Sequence, residues 1–181
     1  DVGIRGTTAL NFTPIKGRTY TSRVGYYLSG SHYNYYGVPV YFSISPRTKL
    51  ELDTSTGLYK TYDWENFANY NRDFGKNNIS VMAGMSYHHY LGNFTSATTD
   101  ELQNTADNFH FLNFSTSSAV DSVGGEETEN ANISYFGRIG YTYDNRYSIQ
   151  ATFRADAYDS SKLAKDSRWG YFPSVSLGWI I

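Results

Sequence analysis

The sequence predicts an all-β fold, an antiparallel up-and-down meander of about seven strands. Three observations predict it. Side chains alternate apolar and polar with period two along most of the chain, the repeat of a strand with two unlike faces. Helical periodicity is nearly absent. The connections between alternating runs switch in turn from tight to long, as an up-and-down order requires when every second connection falls at the same end.

The first strand is expected over residues 4–13 and leads through PIKG at 14–17 into a second over 18–29. The Pro and Gly of that connection suit a tight turn. A third, over 59–71, places Tyr62, Trp64, Ala68 and Tyr70 on one side. It turns at FGKN, 74–77, into a fourth over 78–90 that carries Ile79, Val81, Ala83, Met85 and Tyr87. In the fifth, 133–143, Ile133, Tyr135, Gly137, Ile139, Tyr141 and Tyr143 oppose Ser134, Phe136, Arg138, Gly140 and Thr142. The turn DNR at 144–146 joins it to the sixth, 147–157, and the pair reads as a hairpin. There Tyr147, Ile149, Ala151, Phe153, Ala155 and Ala157 face away from Ser148, Gln150, Thr152, Arg154 and Asp156. The seventh is RWGYFPSVSLGW, 168–179. The longer polar connections are 30–58, 91–131 and 158–168. Within 91–131, Thr98, Thr99, Asp100 and Glu101 resemble a capping box ahead of Leu102, Ala106 and Phe109, which predicts a short helix. The GGEE run at 124–127 reads as solvated loop.

Composition narrows the function. Tyr, Phe and Trp make 18% of the 181 residues and charged residues another 18%, below the usual quarter or so. A net charge of −2 gives no electrostatic footprint for nucleic acid. The absence of cysteine removes disulfides, zinc–thiolate sites and cysteine nucleophiles together. Mean hydropathy is −0.51, and no apolar run approaches the ~18 residues of a spanning helix. No basic n-region with an apolar stretch opens the sequence. The start, DVGIRGTTALNF, reads as mid-strand, so an internal piece of a longer chain is expected.

Two environments suit a period-two apolar stripe: the core of a β-sandwich, or lipid around a membrane barrel. The last strand favours lipid. Its apolar face begins at Trp169 and Tyr171, runs through Pro173, Val175 and Leu177, and closes at Trp179. Ten residues at ~3.3 Å span roughly 33 Å. Tilted by ~45°, they project to about 24 Å, close to the ~25 Å apolar band that aromatic girdles bracket in outer-membrane barrels. Its other face, Gly170, Phe172, Ser174, Ser176 and Gly178, lacks the Lys and Glu of a solvated exterior. The division into short turns and long loops matches the two ends of bacterial barrels. The alternative is an aromatic-rich β-sandwich, soluble without detergent, that binds carbohydrate.

Three segments in order, ISYFGRIGYTY at 133–143, YSIQATFRAD at 147–156 and RWGYFPSVSLGW at 168–179, resemble consecutive barrel strands of the SusC/RagA family of TonB-dependent outer-membrane transporters. PIKG at 14–17, WEN at 64–66 with Tyr70, FGK at 74–76 and VMAG at 81–84 are similar to that family in the same order. The chain departs from it at DAYDSS, 156–161, where Asp-Gly-Ser-Ser is common, and after Trp179, where a basic residue often follows. The resemblance implies a barrel of about 22 strands with a plugged lumen. Residues 1–181 would then be part of that barrel domain, without plug, TonB box or signal peptide. It further implies import of an oligosaccharide or peptide with a SusD-like surface lipoprotein and the TonB complex. The location would be the outer membrane of a Gram-negative, Bacteroidetes-type bacterium. No enzyme activity, cofactor or metal is implied.

Arg5, Arg23, Arg138, Arg154 and Asp156 fall on polar faces and are expected to line the lumen, hydrogen-bonded to the plug or to one another. Asp63 and Glu65 share a strand face and read as lumen carboxylates; a glycosidase pair ranks well below. Trp169, Tyr171, Trp179, Tyr141, Tyr143 and Tyr147 are the girdle candidates. His88 and His89 are adjacent, so on a strand they point apart and cannot chelate one metal together. His32 and His110 are expected in long loops without metal-ligand spacing. Tyr33, Tyr35 and Tyr36, in the first long loop, are candidates to stack on sugar rings, with packing within the loop at least as strong a reading. Five Asn-x-Ser/Thr matches, such as 78–80 and 132–134, are what polar–apolar alternation generates and carry little weight for glycosylation.

Overall fold

The computed structural model describes residues 1–42, 49–104, 106, 110–116, 122–159, 164 and 167–180. Seven strands form one sheet in sequence order: β1 (Val2–Ile15), β2 (Arg18–Gly37), β3 (Glu51–Phe74), β4 (Asn77–Thr99), β5 (Ser122–Tyr143), β6 (Tyr147–Asp159) and β7 (Trp169–Trp179). The meander is therefore as expected, and β5–β6 and β6–β7 pair antiparallel.

The three tight turns use left-handed backbone. Gly17 and Gly75 supply it with φ of 80° and 60°. Asp144 and Asn145 supply it with 52° and 54°, two successive positive angles that match the twist of a hairpin. The Arg146 N–H closes that turn on the Tyr143 carbonyl at 3.0 Å. The turns are also laced to their neighbours. The Asn71 N–H donates to the Gly17 carbonyl at 2.8 Å, and the Asp144 N–H to the Lys76 carbonyl at 2.7 Å.

The long connections differ from expectation. β2 runs on to Gly37 and β3 begins at Glu51, so His32, Tyr33, Tyr35 and Tyr36 lie on a strand rather than in a loop. β4 reaches Thr99 and β5 begins at Ser122, which takes the GGEE run into a strand. These extensions carry polar residues on both faces, so ladder hydrogen bonding continues where apolar alternation has stopped. Where the helix is expected to start, the described residues do otherwise: Thr98 and Thr99 end β4, and Leu102 makes a bridge with Ser115. Phe109 lies outside the described residues. Among the described residues that follow, Leu112–Phe114 form a 3-10 turn.

Two compact units divide the strands along their length. One comprises Asp1–Ile4, Leu28–Lys60 and Leu91–Thr128; the other comprises Arg5–Tyr27, Thr61–Tyr90 and Glu129–Ile181. Among the described residues, the buried hydrophobic side chains are Leu52 and Leu102 in the first unit and Ala155 in the second. Large apolar side chains stay outside: Val175 is 68% exposed and Leu177 79%. A sandwich needs a second sheet over that face, and the described strands make one sheet.

Candidate functional site

The second unit carries the candidate site, and its alternation is settled by contacts across the strands. Side chains that touch from neighbouring strands share a face. Ser134 lies opposite Asp156, Phe136 opposite Arg154 and Arg154 opposite Phe172. The Arg138 guanidinium reaches the Met82 sulfur at 3.9 Å. His88 meets Asp63 at 2.6 Å, and Arg23 donates to Glu65 at 3.0 Å. The Arg5 guanidinium sits 4.8 Å from the centre of the Tyr27 ring. Followed from strand to strand, these contacts put Arg5, Arg23, Asp63, Glu65, Arg138, Arg154 and Asp156 on one face.

Most of these charges are matched locally. Arg154 Nε donates to both oxygens of Asp156 at 2.7 and 2.9 Å, while its Nη2 donates to the Ser134 hydroxyl at 3.1 Å. Asp63 and Glu65 each hold a different partner, an imidazole and a guanidinium, instead of converging on one point. His88 and His89 diverge as expected: His89 pairs with Glu129 at 2.8 Å. These histidine–carboxylate pairs and the Ser134 contact are absent from the sequence reading, because cross-strand partners emerge only once register is known. Among the described residues no three His, Asp or Glu side chains gather as metal ligands.

The opposite face of the same unit is aromatic at both ends. Trp169 stacks between Tyr135 and Tyr171, at ring-centre distances of 6.2 and 6.5 Å, and Phe153 lies 6.3 Å from Tyr171. At the tight-turn end Tyr147 stacks on Trp179 at 6.3 Å and pairs with Tyr143 across the hairpin. Tyr141 donates its hydroxyl to Asn77 Oδ1 at 2.6 Å. Ile149 faces Leu177 and Ala151 faces Val175 between those ends.

The first unit is polar and loop-bearing. Lys49 bridges Asp100 and Glu101, each at 3.0 Å. Both hydrogen bonds, the one to Asp100 foremost, raise the Lys49 pKa above its ordinary value. The Leu102 N–H reaches the Leu50 carbonyl at 3.4 Å, and Thr116 N–H and hydroxyl both donate to the Glu101 carbonyl. Tyr36 stacks on His110 at 3.7 Å, so this ring is already occupied; Tyr33 stays 57% exposed.

No family model matches the chain. TonB-dependent receptor P39 of Formosa agariphila is 27% identical over 179 residues, which cover 97% of this chain and 17% of that protein. TonB-dependent receptor SusC of Bacteroides thetaiotaomicron is 52% identical over 54 residues, 30% of this chain and 5% of that protein. The peptide importer RagAB in its open-open state superposes with a TM-score of 0.81 at 21% identity, across 96% of this chain and 19% of the importer chain.

The chain is similar to TonB-dependent receptors, SusC among them, and shares the strand arrangement of RagAB.

It spans under a fifth of the length of the relatives it matches, and the shared architecture is the antiparallel meander. At 21% identity the RagAB likeness speaks for the fold.

Proposed function

We propose that this chain forms wall, polar lining and loops of a SusC-like outer-membrane importer of oligosaccharides or similarly large nutrients. The transporter works with a SusD-like surface lipoprotein and takes its energy from TonB, through a plug and TonB-contacting segment that lie elsewhere in the full-length protein. The Arg5, Arg23, Asp63, Glu65, Arg138, Arg154 and Asp156 face lines the lumen against the plug. Trp169, Tyr171, Trp179, Tyr141, Tyr143 and Tyr147 float the wall between two membrane interfaces. The cell is a Gram-negative bacterium of the Bacteroidetes type, and the chain has no catalytic role.

The observation that carries this reading is the exposed apolar face with rings at both ends and aliphatic residues between, backed by a face of paired charges. Rings with one polar edge prefer a boundary between oil and water. Uncovered aliphatic side chains such as Val175 and Leu177 are stable only against lipid or another protein layer.

Deleting the transporter that carries this chain tests the reading. Growth at limiting oligosaccharide is expected to fail while growth on the free monosaccharide continues, and the protein is expected in detergent extracts of outer membranes. Recovery in buffer without detergent, or unimpaired growth on every oligosaccharide and peptide supplied, overturns it.

A further inference from the structure

Resting on the membrane reading above, we infer a specific site for an anionic phospholipid on the apolar face at the tight-turn end. A groove of about 560 Å³ opens there between β2, β3 and β4, within the range of about 300–1,000 Å³ typical of small-ligand clefts. Its walls and floor come from Pro14, Tyr20, Ala68, Tyr70, Val81 and Ala83. Ala68 and Ala83 stop at Cβ between the larger Tyr20 and Tyr70 side chains, leaving a channel of acyl-chain character.

Arg18 lines the same groove. Its guanidinium lies 5.6 Å from the centre of the Tyr70 ring, held at one end of the channel. Two residues beyond Tyr70 on the same face of β3, Arg72 sits 6.0 Å from the Phe74 ring. Among the described residues neither arginine has a carboxylate within ion-pair distance, in contrast to Arg23, Arg154 and Arg168. Tyr20 has spent its hydroxyl proton on Asn66 Oδ1 at 2.8 Å, so binding a headgroup falls to the guanidinium. A planar guanidinium suits a phosphate through two parallel hydrogen bonds, and an arginine near the interface bears little of the penalty it would meet at midplane.

Charge decides the headgroup. No carboxylate lines the groove, so the ammonium of a zwitterionic lipid finds no partner, whereas a net negative headgroup complements both arginines. The occupant is a phospholipid with one chain along Ala68 and Ala83 and its phosphate on Arg18.

The test uses the full-length transporter, stripped of lipid in detergent and offered phosphatidylglycerol or phosphatidylcholine with identical acyl chains. Bound lipid is counted by native mass spectrometry. The wild type is expected to retain phosphatidylglycerol about tenfold more, the scale of a charge-assisted contact. Arg18→Gln should abolish the preference. Ala83→Leu, at an exposed position, should lower retention of both lipids. Equal retention of the two lipids, or an unchanged preference in Arg18→Gln, overturns the site, as does a change of oligomeric state without lipid loss in Ala83→Leu. A protein that inserts into liposomes but shows no preference sinks this site alone. One that stays out of liposomes sinks the membrane reading beneath it.

Discussion

Gly84 lies where three strands crowd the polar face. A Cβ there would stand 2.5 Å from the Asn66 carbonyl oxygen, 2.6 Å from Phe67 Cβ and 2.9 Å from a Phe136 ring carbon. Two of those atoms belong to backbone or Cβ and cannot swing aside. Gly84→Ala is therefore expected to destabilise the folded transporter by about 1–3 kcal/mol, the range for overpacking, read as a lower midpoint of urea unfolding. Gly6→Ala is the control, since a Cβ at Gly6 meets nothing within 4 Å, and its effect should stay within about 0.5 kcal/mol. The same face offers a probe of its surroundings. The Arg23 and Glu65 side chains are 50% and 41% exposed in this chain, so as a surface pair they are worth at most about 1 kcal/mol. If a plug covers the pair, a double-mutant cycle with Arg23→Met and Glu65→Gln in the full-length transporter should return a larger coupling. A value near zero argues that the face stays open to water.

Elements were legible where their two faces differ, and illegible where they do not. Residues 147–157 alternate cleanly, and β6 lies where the alternation puts it, ending two residues later. The stretch 122–132 is polar on both faces, so its backbone pairing leaves no periodic mark in the sequence, and β5 proved eleven residues longer than expected at its start. Thr98 to Glu101 carry a capping pattern, yet the segment is held by strand pairing and by the buried Thr99, whose hydroxyl lies 2.9 Å from Ser115. Tertiary context overrides a local propensity of this size. The polar-face positions followed from parity alone, but their partners, His88 for Asp63 and Ser134 for Arg154, depend on register that residue spacing does not encode. The Lys49 contact with Asp100 and Glu101 yields a testable property of the loop-bearing unit. Its pKa is raised by those hydrogen bonds, so the folded state binds the proton more tightly than the unfolded one. The stabilisation is then complete below the ordinary lysine pKa and is lost as pH climbs through the raised folded value. An alkali-tolerant protease should cut the 49–53 and 100–104 segments slowly at about pH 8 and much faster above about pH 11. Lys49→Met should be cut quickly at both. Equal rates for the two proteins at about pH 8 would show that the contact holds nothing together.

For the molecule as a whole, the question is what lies against the apolar face, and β7 allows it to be asked position by position. β1 and β7 end the strand order, and in hydrocarbon their free edges require partner strands, since unpaired backbone groups are not tolerated there. A closed wall built that way leaves Trp169, Tyr171, Pro173, Val175, Leu177 and Trp179 facing outward along one strand. If lipid covers them, the penalty for a charge depends on depth. Val175→Arg, midway between the two tryptophans, should cost about 2–4 kcal/mol, whereas the charge at Trp179 or Trp169 should add only about 0–1 kcal/mol to the loss of the ring. Ser176→Arg, one residue from Val175 but on the opposite face, should escape the lipid penalty altogether. Measured as reversible unfolding of the full-length transporter from bilayers, the costs along the outward positions should rise to a maximum near Val175 and fall toward each end. A protein layer over the same face penalises each position by its own packing and gives no such symmetric profile. A flat or irregular series would therefore place protein, not lipid, against the strand.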